Sequence, residues 1–320
     1  MRYLARRLVH SLLLLLGVSI FSFAILQLAP GDFFTPISLN PQISAHTVAA
    51  LRSQYGLDEP LPIRYEHWLH SVFRGDFGIS FAYGTPVAPL LAVRARNTLL
   101  LTGTSLLLAW LLAIPFGIWS AARRGKWSDR AGGFVTSSLL TVPDLVLFLA
   151  LLLVAVRTGW FPTGGMTSAR FDDLGFGGKV KDVAAHVFLP ALGLVLATLP
   201  PLVRHVRSAL IEVLEAPFVR AARAHGISEC RVLLRYALPV AANPLITLFG
   251  YSIAAMLSAS LLVEMVLSWP GVGPVLVDAI LAKDVYVVVG AVMLSSVFLV
   301  AGNLIADALL FATDPRIRMD

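Results

Sequence analysis

The sequence is almost without cysteine: Cys230 is the single thiol in 320 residues. A disulfide-stapled scaffold and a cysteine-rich zinc site are both excluded on that ground. Charge is scarce as well, at 14% against about 25% in an average globular domain, while hydrophobic residues reach 57%. So few charged side chains cannot cover the surface of one or two soluble domains of this length. Several chemical motifs are missing too. Neither Gly125-Lys126 nor Gly178-Lys179 has the upstream glycine and following hydroxyl of the phosphate-cradling loop GxxxxGK[ST]. HExxH and GxSxG do not occur, which leaves a protease or hydrolase without its metal or nucleophile motif. His67 and His70 share a helical face in EHWLH, but no further ligands are spaced nearby, and the polar face of an amphipathic helix is the simpler reading. No catalytic residue, metal site or cofactor is expected, and there is no internal repeat or low-complexity tract.

What the chain does have is long apolar runs. A helix needs ~20 consecutive apolar residues to cross a bilayer core of about 30 Å, because lipid offers unpaired backbone amides and carbonyls no partners. Six such runs are expected: residues 8–29, 98–122, 131–156, 187–206, 244–267 and 285–311. The first reads as an uncleaved anchor, longer than a signal-peptide core, and Pro30, Gly31 and Asp32 stop it. Pro143 and Asp144 interrupt the third, and Pro200-Pro201 makes the fourth the weakest span. The chain is thus all-α and polytopic. Its domains are expected as an anchor and first span over 1–29, a segment outside the membrane over 30–96 containing Tyr55, Tyr65 and Trp68, and a core over 97–320. A second outer segment covers 159–186.

The formal net charge is +6, and its distribution argues for a membrane rather than nucleic acid. Arg2, Arg6 and Arg7 precede the first run, and Arg123, Arg124, Lys126 and Arg130 separate the second from the third. Arg204, Arg207, Arg220, Arg223, Arg231 and Arg235 lie between the fourth and fifth, and Arg316 and Arg318 follow the sixth. The alternate loops carry Lys179, Lys181, Lys283 and a few arginines, and these are matched or outnumbered by Asp58, Glu59, Glu66, Asp76, Asp172, Asp173, Asp182 and Asp284. The positive-inside rule then places both termini in the cytoplasm.

Ionisable groups inside spans are expensive and often functional. Asp144, Glu264 and Asp307 are such groups, and with Pro143 they are candidates to line a pathway. Glu264 and Asp307 fall near span ends, where a carboxylate can also reach interfacial water or cap a neighbouring helix. Pro143 removes a backbone hydrogen bond near mid-span, a break tolerated where it is buried in protein or lines a wet cavity.

The stretch EAPFVRAARAHGISECRVLLRYALPVAANP, residues 215–244, reads as two helices on the cytoplasmic side. Pro217 suits a first helical position, Gly226 a C-terminal cap and Ser228 the next N-cap, with the second helix ending at Pro239. Phe218, Ala221, Ala222 and His225 fall on one face by three-and-four spacing, a small and partly apolar face suited to a partner's cleft. The competing reading is a basic helix held on anionic headgroups.

This stretch resembles the EAA loop of permease subunits from bacterial ATP-binding-cassette importers: EAA, three residues, Gly, nine residues, then Ile-x-Leu-Pro. Ala221 and Ala222 match the two alanines, Gly226 the glycine, and Leu238 and Pro239 the terminal pair. Arg220 stands at the glutamate and Tyr236 at the isoleucine, and FVRAARAHGIS resembles the YVRTARAKGLS form of the peptide and nickel branch. The likeness continues through LAPGD, YGLDEPLPIRYEHWLHSVFRGDFGIS, GWFPTGG, HVFLPAL, VEMVLSWPGVGPVLVDAILAKDVYVV and NLIADALLFATDPRIR, in the branch's order. It resembles in particular the first of the two permeases of dipeptide and oligopeptide systems.

The resemblance implies a type I importer permease fold in the bacterial inner membrane. It also implies a second permease that is a different chain, two cytoplasmic ATPases and an extracytoplasmic substrate-binding protein. Phe218, Arg220, Ala221, Ala222, Arg223, His225, Gly226, Leu238 and Pro239 would form the coupling loop of 215–240, and peptides or related small solutes would be the cargo. Two competitors stay open: an ion-coupled secondary transporter using Asp144, Glu264 or Asp307, and a membrane enzyme whose constellation is not visible.

Overall fold

The computed structural model describes residues 2–28, 31, 33–38, 44–54, 56 and 58–313. The expectations at Pro30, Asp32, Tyr55, Arg316 and Arg318 lie outside the described residues. Within them the regular structure is helical apart from one antiparallel bridge between Ile79 and Pro86. The helices are α1 (Arg2–Leu28), α2 (Thr35–Ser38), α3 (Ala45–Gln54), α4 (Leu61–Val72), α5 (Val87–Ala122), α6 (Trp127–Thr141) and α7 (Asp144–Thr158). There follow α8 (Phe176–Leu214), α9 (Pro217–Ala224), α10 (Glu229–Arg231), a π-helical turn (Val232–Ala237), α11 (Leu238–Val266), α12 (Val272–Leu281) and α13 (Val285–Thr313). Five of these carry unbroken stretches long and apolar enough to cross a membrane: α1, α5, α8, the run through α10 and α11, and α13.

Several sequence expectations change, the simplest being that α5 starts at Val87, ahead of the expected residue 98. The third apolar run is two helices, α6 and α7, that meet at 96°, so the count of six holds only with that bent pair as one span. Val142 and Pro143 are both extended (ψ 121° and 138°), as the residue preceding a proline prefers, and the helix stops there. Pro200-Pro201, in contrast, leaves α8 unbroken over 39 residues. Pro200, Leu202, Val203 and Val206 are buried there, so packing holds α8 through its lost hydrogen bonds. Because α8 begins at Phe176, it also takes in the last part of the expected 159–186 loop. Finally, the helix after Gly226 does not end at Pro239. Six π-helical residues precede it and α11 runs on, starting before the expected residue 244. A wider turn accommodates the missing proline N–H and its ring without stopping the helix.

The chain packs as two compact units, one of residues 1–97 with 271–300 and the other of residues 98–270 with 301–320. In the first, Phe23 of α1, Trp68 of α4 and Val289 of α13 form a buried cluster. The Ser19 and Tyr65 hydroxyls join α1 to α4 at 2.8 Å. In the second, α8 packs against α5, α6, α7 and α11. Lipid tails are as apolar as leucine, so close backbone approach has to hold such helices together, and small residues permit it. A Cβ on Gly250 of α11 would lie 2.2 Å from the Ala306 Cβ of α13, and one on Gly117 of α5 2.5 Å from Val206 of α8.

Candidate functional site

The loop that joins α8 to α11 is built from a short helix with defined ends. Pro217 opens α9 with a φ already helical, after the extended Ala216. At the other end Gly226 takes φ +74°; its N–H bonds the Arg223 carbonyl at 2.9 Å, and the Ile227 N–H bonds that of Ala222 at 3.2 Å. This pair of bonds is the Schellman closure, which needs a left-handed residue and favours glycine. Ile227 packs on the same small cluster as Ala222, the hydrophobic contact that accompanies the motif.

The two faces of α9 differ from the sequence expectation at one residue. Val219 and Ala222 are buried with Val232, against Val213, Leu214 and Ile227. Phe218, Ala221 and His225 are exposed, with Arg220 and Arg223 beside them. Ala222 thus belongs to the joint beneath the helix and not to the open face, because its i−3 neighbour Val219 fixes which side packs. Arg220 reaches back, Nη2 donating to the Glu215 carbonyl at 3.1 Å at the end of α8. The Glu215 carboxylate pairs with Arg124 from the α5–α6 loop. Across the Gly226 turn Arg223 grips Glu229 with both Nε (2.8 Å) and Nη2 (3.1 Å). These ions are largely exposed, so each pair is worth little alone; together they tie α9 to its neighbours at several points. Leu238 and Pro239 lie beyond the π turn, Leu238 packed on the core of α5, α8 and α11. Ser228 stands at the start of α10 as expected, with no side-chain capping bond.

The four expected pathway residues sit in different surroundings. Pro143 and Asp144 are exposed at the α6–α7 corner, Asp144 in the first turn of α7, where a carboxylate suits the helix dipole. Glu264 is wholly buried in α11, and the Thr98 hydroxyl donates to its Oε1 at 2.6 Å. Asp307 is buried in α13.

Two aspartates organise the structure: Asp129, which sequence reasoning passed over, and Asp284, which it counted only as a loop charge. Asp129 of α6 is buried and accepts hydrogen bonds from Ser120 (2.6 Å), the Gly125 N–H (3.0 Å) and both Nε and Nη2 of Arg207 (2.8 Å each). One carboxylate thereby joins α5, the turn before α6, and α8. A basic loop next to an acidic residue is the sequence signal, but the partner lies 78 positions away. Asp284 is fully buried and receives the Ser80 hydroxyl at 2.6 Å and the Ala82 N–H at 3.0 Å. The segments GDFGIS and AKDVY therefore meet. Nearby the Tyr83 hydroxyl donates to Asp278 at 3.2 Å, and burial, then the Asp278 carboxylate, push the phenol above its usual range, so it stays a neutral donor.

Other recurrent segments converge likewise in the second unit. Trp269 is fully buried with Leu267, Val187, Leu189 and Phe148, and Phe161 and Met166 pack against them. The Gly165 N–H bonds the Ser268 carbonyl at 3.0 Å. GWFPTGG, HVFLPAL and VEMVLSWP thus share one core.

Comparison with known proteins agrees with this architecture. The chain is similar to the oligopeptide transport system permease protein AppB of Bacillus subtilis, 39% identical with 98% of each chain covered. It is also similar to the glutathione transport system permease protein GsiC of Salmonella typhimurium, 34% identical with 99% of each covered. In fold it is similar to a chain of the inward-facing MetNI methionine ABC transporter, with a TM-score of 0.53 at 18% identity over 70% of this chain and 96% of that one. Residues 1–102 match the N-terminal region of binding-protein-dependent transport system membrane components. Residues 113–319 match the inner membrane component itself, and the chain belongs to that family of multi-pass permease subunits of binding-protein-dependent transport systems.

Proposed function

We propose that this permease imports peptides or closely related small solutes, working with a second permease chain, two ATPase subunits in the cytoplasm and an extracytoplasmic binding protein. The observation that carries the reading is α9: a short helix with an open face of Phe218, Ala221 and His225, fixed at both ends and underneath by its own chain. A lever must be rigid to transmit motion, and a helix held through Arg220 to the end of α8, where Glu215 in turn pairs with Arg124 of the α5–α6 loop, moves when they move. ATPase closure displaces α9, and α8 and α11 carry the displacement into the membrane. The peptide cargo is supported by the names of the two relatives.

Both termini and the α8–α11 loop face the cytoplasm, as the arginine distribution supports, and residues 30–96 face the binding protein. Pro143 and Asp144, exposed at the α6–α7 corner, line the pathway; Glu264 and Asp307 reach it only when the helices around them part.

Gly226→Val tests the lever. Valine in the left-handed position is strained by about 1–2 kcal/mol, enough to disorder the turn without touching the spans. In proteoliposomes holding the whole importer, this variant is expected to insert normally and lose uptake per ATP hydrolysed. Ala222→Asp, which buries a carboxylate in the joint, should do the same. Coupled transport at the wild-type ratio in both would remove α9 from the mechanism.

A further inference from the structure

Where α5, α6 and α8 diverge, a recess of about 910 Å³ opens. Its wall is apolar, with Phe116, Val135, Leu139 and Val203, while Arg130 and Arg204 stand on its lining. Arg204 is shared with a second recess of about 510 Å³ that also exposes His205 and Ser208. The depth of these arginines follows from α8. Residues 183–203 contain one ionisable side chain, His186, and then Arg204 follows directly. Such a stretch is as long as the hydrocarbon core is thick, about 30 Å at 1.5 Å per residue. Arg204 therefore lies at headgroup level. Two tryptophans line the recess at the same end, Trp119, with the Arg123 guanidinium 5.0 Å over its ring, and Trp127, 83% exposed. Indole rings favour this interfacial layer.

The charges in the recess do not cancel. Asp129 is saturated by Arg207, Ser120 and the Gly125 N–H, so its negative charge is already matched. The guanidiniums of Arg130 and Arg204 make no ion pair or hydrogen bond among the described residues. Two unmatched guanidiniums above an apolar wall fit one kind of molecule: a phosphate that carries net negative charge and is attached to an acyl chain. We propose that this recess is a specific site for an anionic phospholipid, with the headgroup phosphate on Arg130 and Arg204 and an acyl chain along Phe116, Val135 and Leu139. Through the Asp129 bridge a lipid seated here touches the elements that hold the α8–α11 loop, and it stiffens them.

The test uses the assembled importer purified with its partner subunits and placed in nanodiscs of equal phosphatidylglycerol and phosphatidylcholine. Native mass spectrometry then counts the lipids that survive mild activation. The wild type should retain phosphatidylglycerol in preference, and Arg130→Gln/Arg204→Gln should lose that preference by about tenfold or more, as expected for two interfacial arginine contacts. Equal retention by the double variant, or no preference in the wild type, overturns the site. A second measurement needs no variant. Phosphatidylglycerol with a photoreactive acyl chain should label peptides from residues 127–139 and 199–207 several times more than the matching phosphatidylcholine does. Equal labelling by both lipids means an ordinary lipid shell, no labelling means that another protein covers the recess, and either result overturns the proposal. Millimolar inorganic phosphate should not displace the label; displacement would mean a free-anion site and refute the lipid.

Discussion

Single residues in this permease act by what they hold. Glu264 is the sharpest case: a carboxylate in an apolar helix reads as a possible ion carrier, yet it is fully enclosed and accepts the Thr98 hydroxyl at 2.6 Å. If its role is to hold α5 to α11, glutamine keeps the acceptor oxygen and should be tolerated. Alanine, which leaves Thr98 without that partner, should destabilise the fold by about 1–3 kcal/mol. Thermal unfolding in detergent with an uptake assay checks both. Loss of uptake in Glu264→Gln with unchanged stability would instead favour a protonatable carrier and the ion-coupled alternative. Ala222 shows what spacing alone cannot decide. It shares the three-and-four series of Phe218, Ala221 and His225, but burial of Val219 against Val232 turns it inward. Gly226, in contrast, was legible from the chain, because a glycine after a helix run and before a second start has one common conformation there.

Elements show where proline reasoning works and where it fails. Each proline removes one donor, but the outcome depends on what surrounds it. At Pro143 the preceding residue is extended and the helix breaks by 96°. At Pro200-Pro201 buried neighbours keep α8 continuous, and at Pro239 a π turn takes up the change. Composition does not contain those neighbours, which is why the third, fourth and fifth spans differ from the expected ones; α5 differs too, beginning at Val87, ahead of the expected residue 98 and inside the expected outer segment. Long apolar runs without such breaks, α1 and α13, were readable nearly to their ends. Element packing also yields a prediction. A Cβ on Gly250 would come within 2.2 Å of that of Ala306, so Gly250→Val should force α11 and α13 apart at a cost of about 1–3 kcal/mol. A lower melting temperature and reduced yield of folded protein should follow, while Gly103→Val, at a position with open space around it, should change neither.

For the whole molecule, the arrangement in the membrane is the claim most open to a direct check, and the chain carries its own probe. Cys230 is the only cysteine and is exposed, on α10, the next helix after α9. A membrane-impermeant maleimide should leave it unlabelled in intact spheroplasts and modify it in inverted vesicles. Labelling from the periplasmic side alone would invert the topology and with it the lever. The class of molecule was readable from apolar runs and charge asymmetry, and the family from motifs in order. The bridges of Asp129 and Asp284 were not, since each joins segments distant in sequence whose meeting is a property of the fold.

As proposed above, this permease draws its energy from ATPase subunits on separate chains. Purification from native membranes in mild detergent, with the co-eluting chains identified and ATP hydrolysis assayed, tests it most directly. A second permease and Walker-motif ATPases should elute in the same peak, with ATP hydrolysed by the assembly. A chain that elutes alone, without ATPase activity, and takes up solute when only a proton gradient is applied would contradict it.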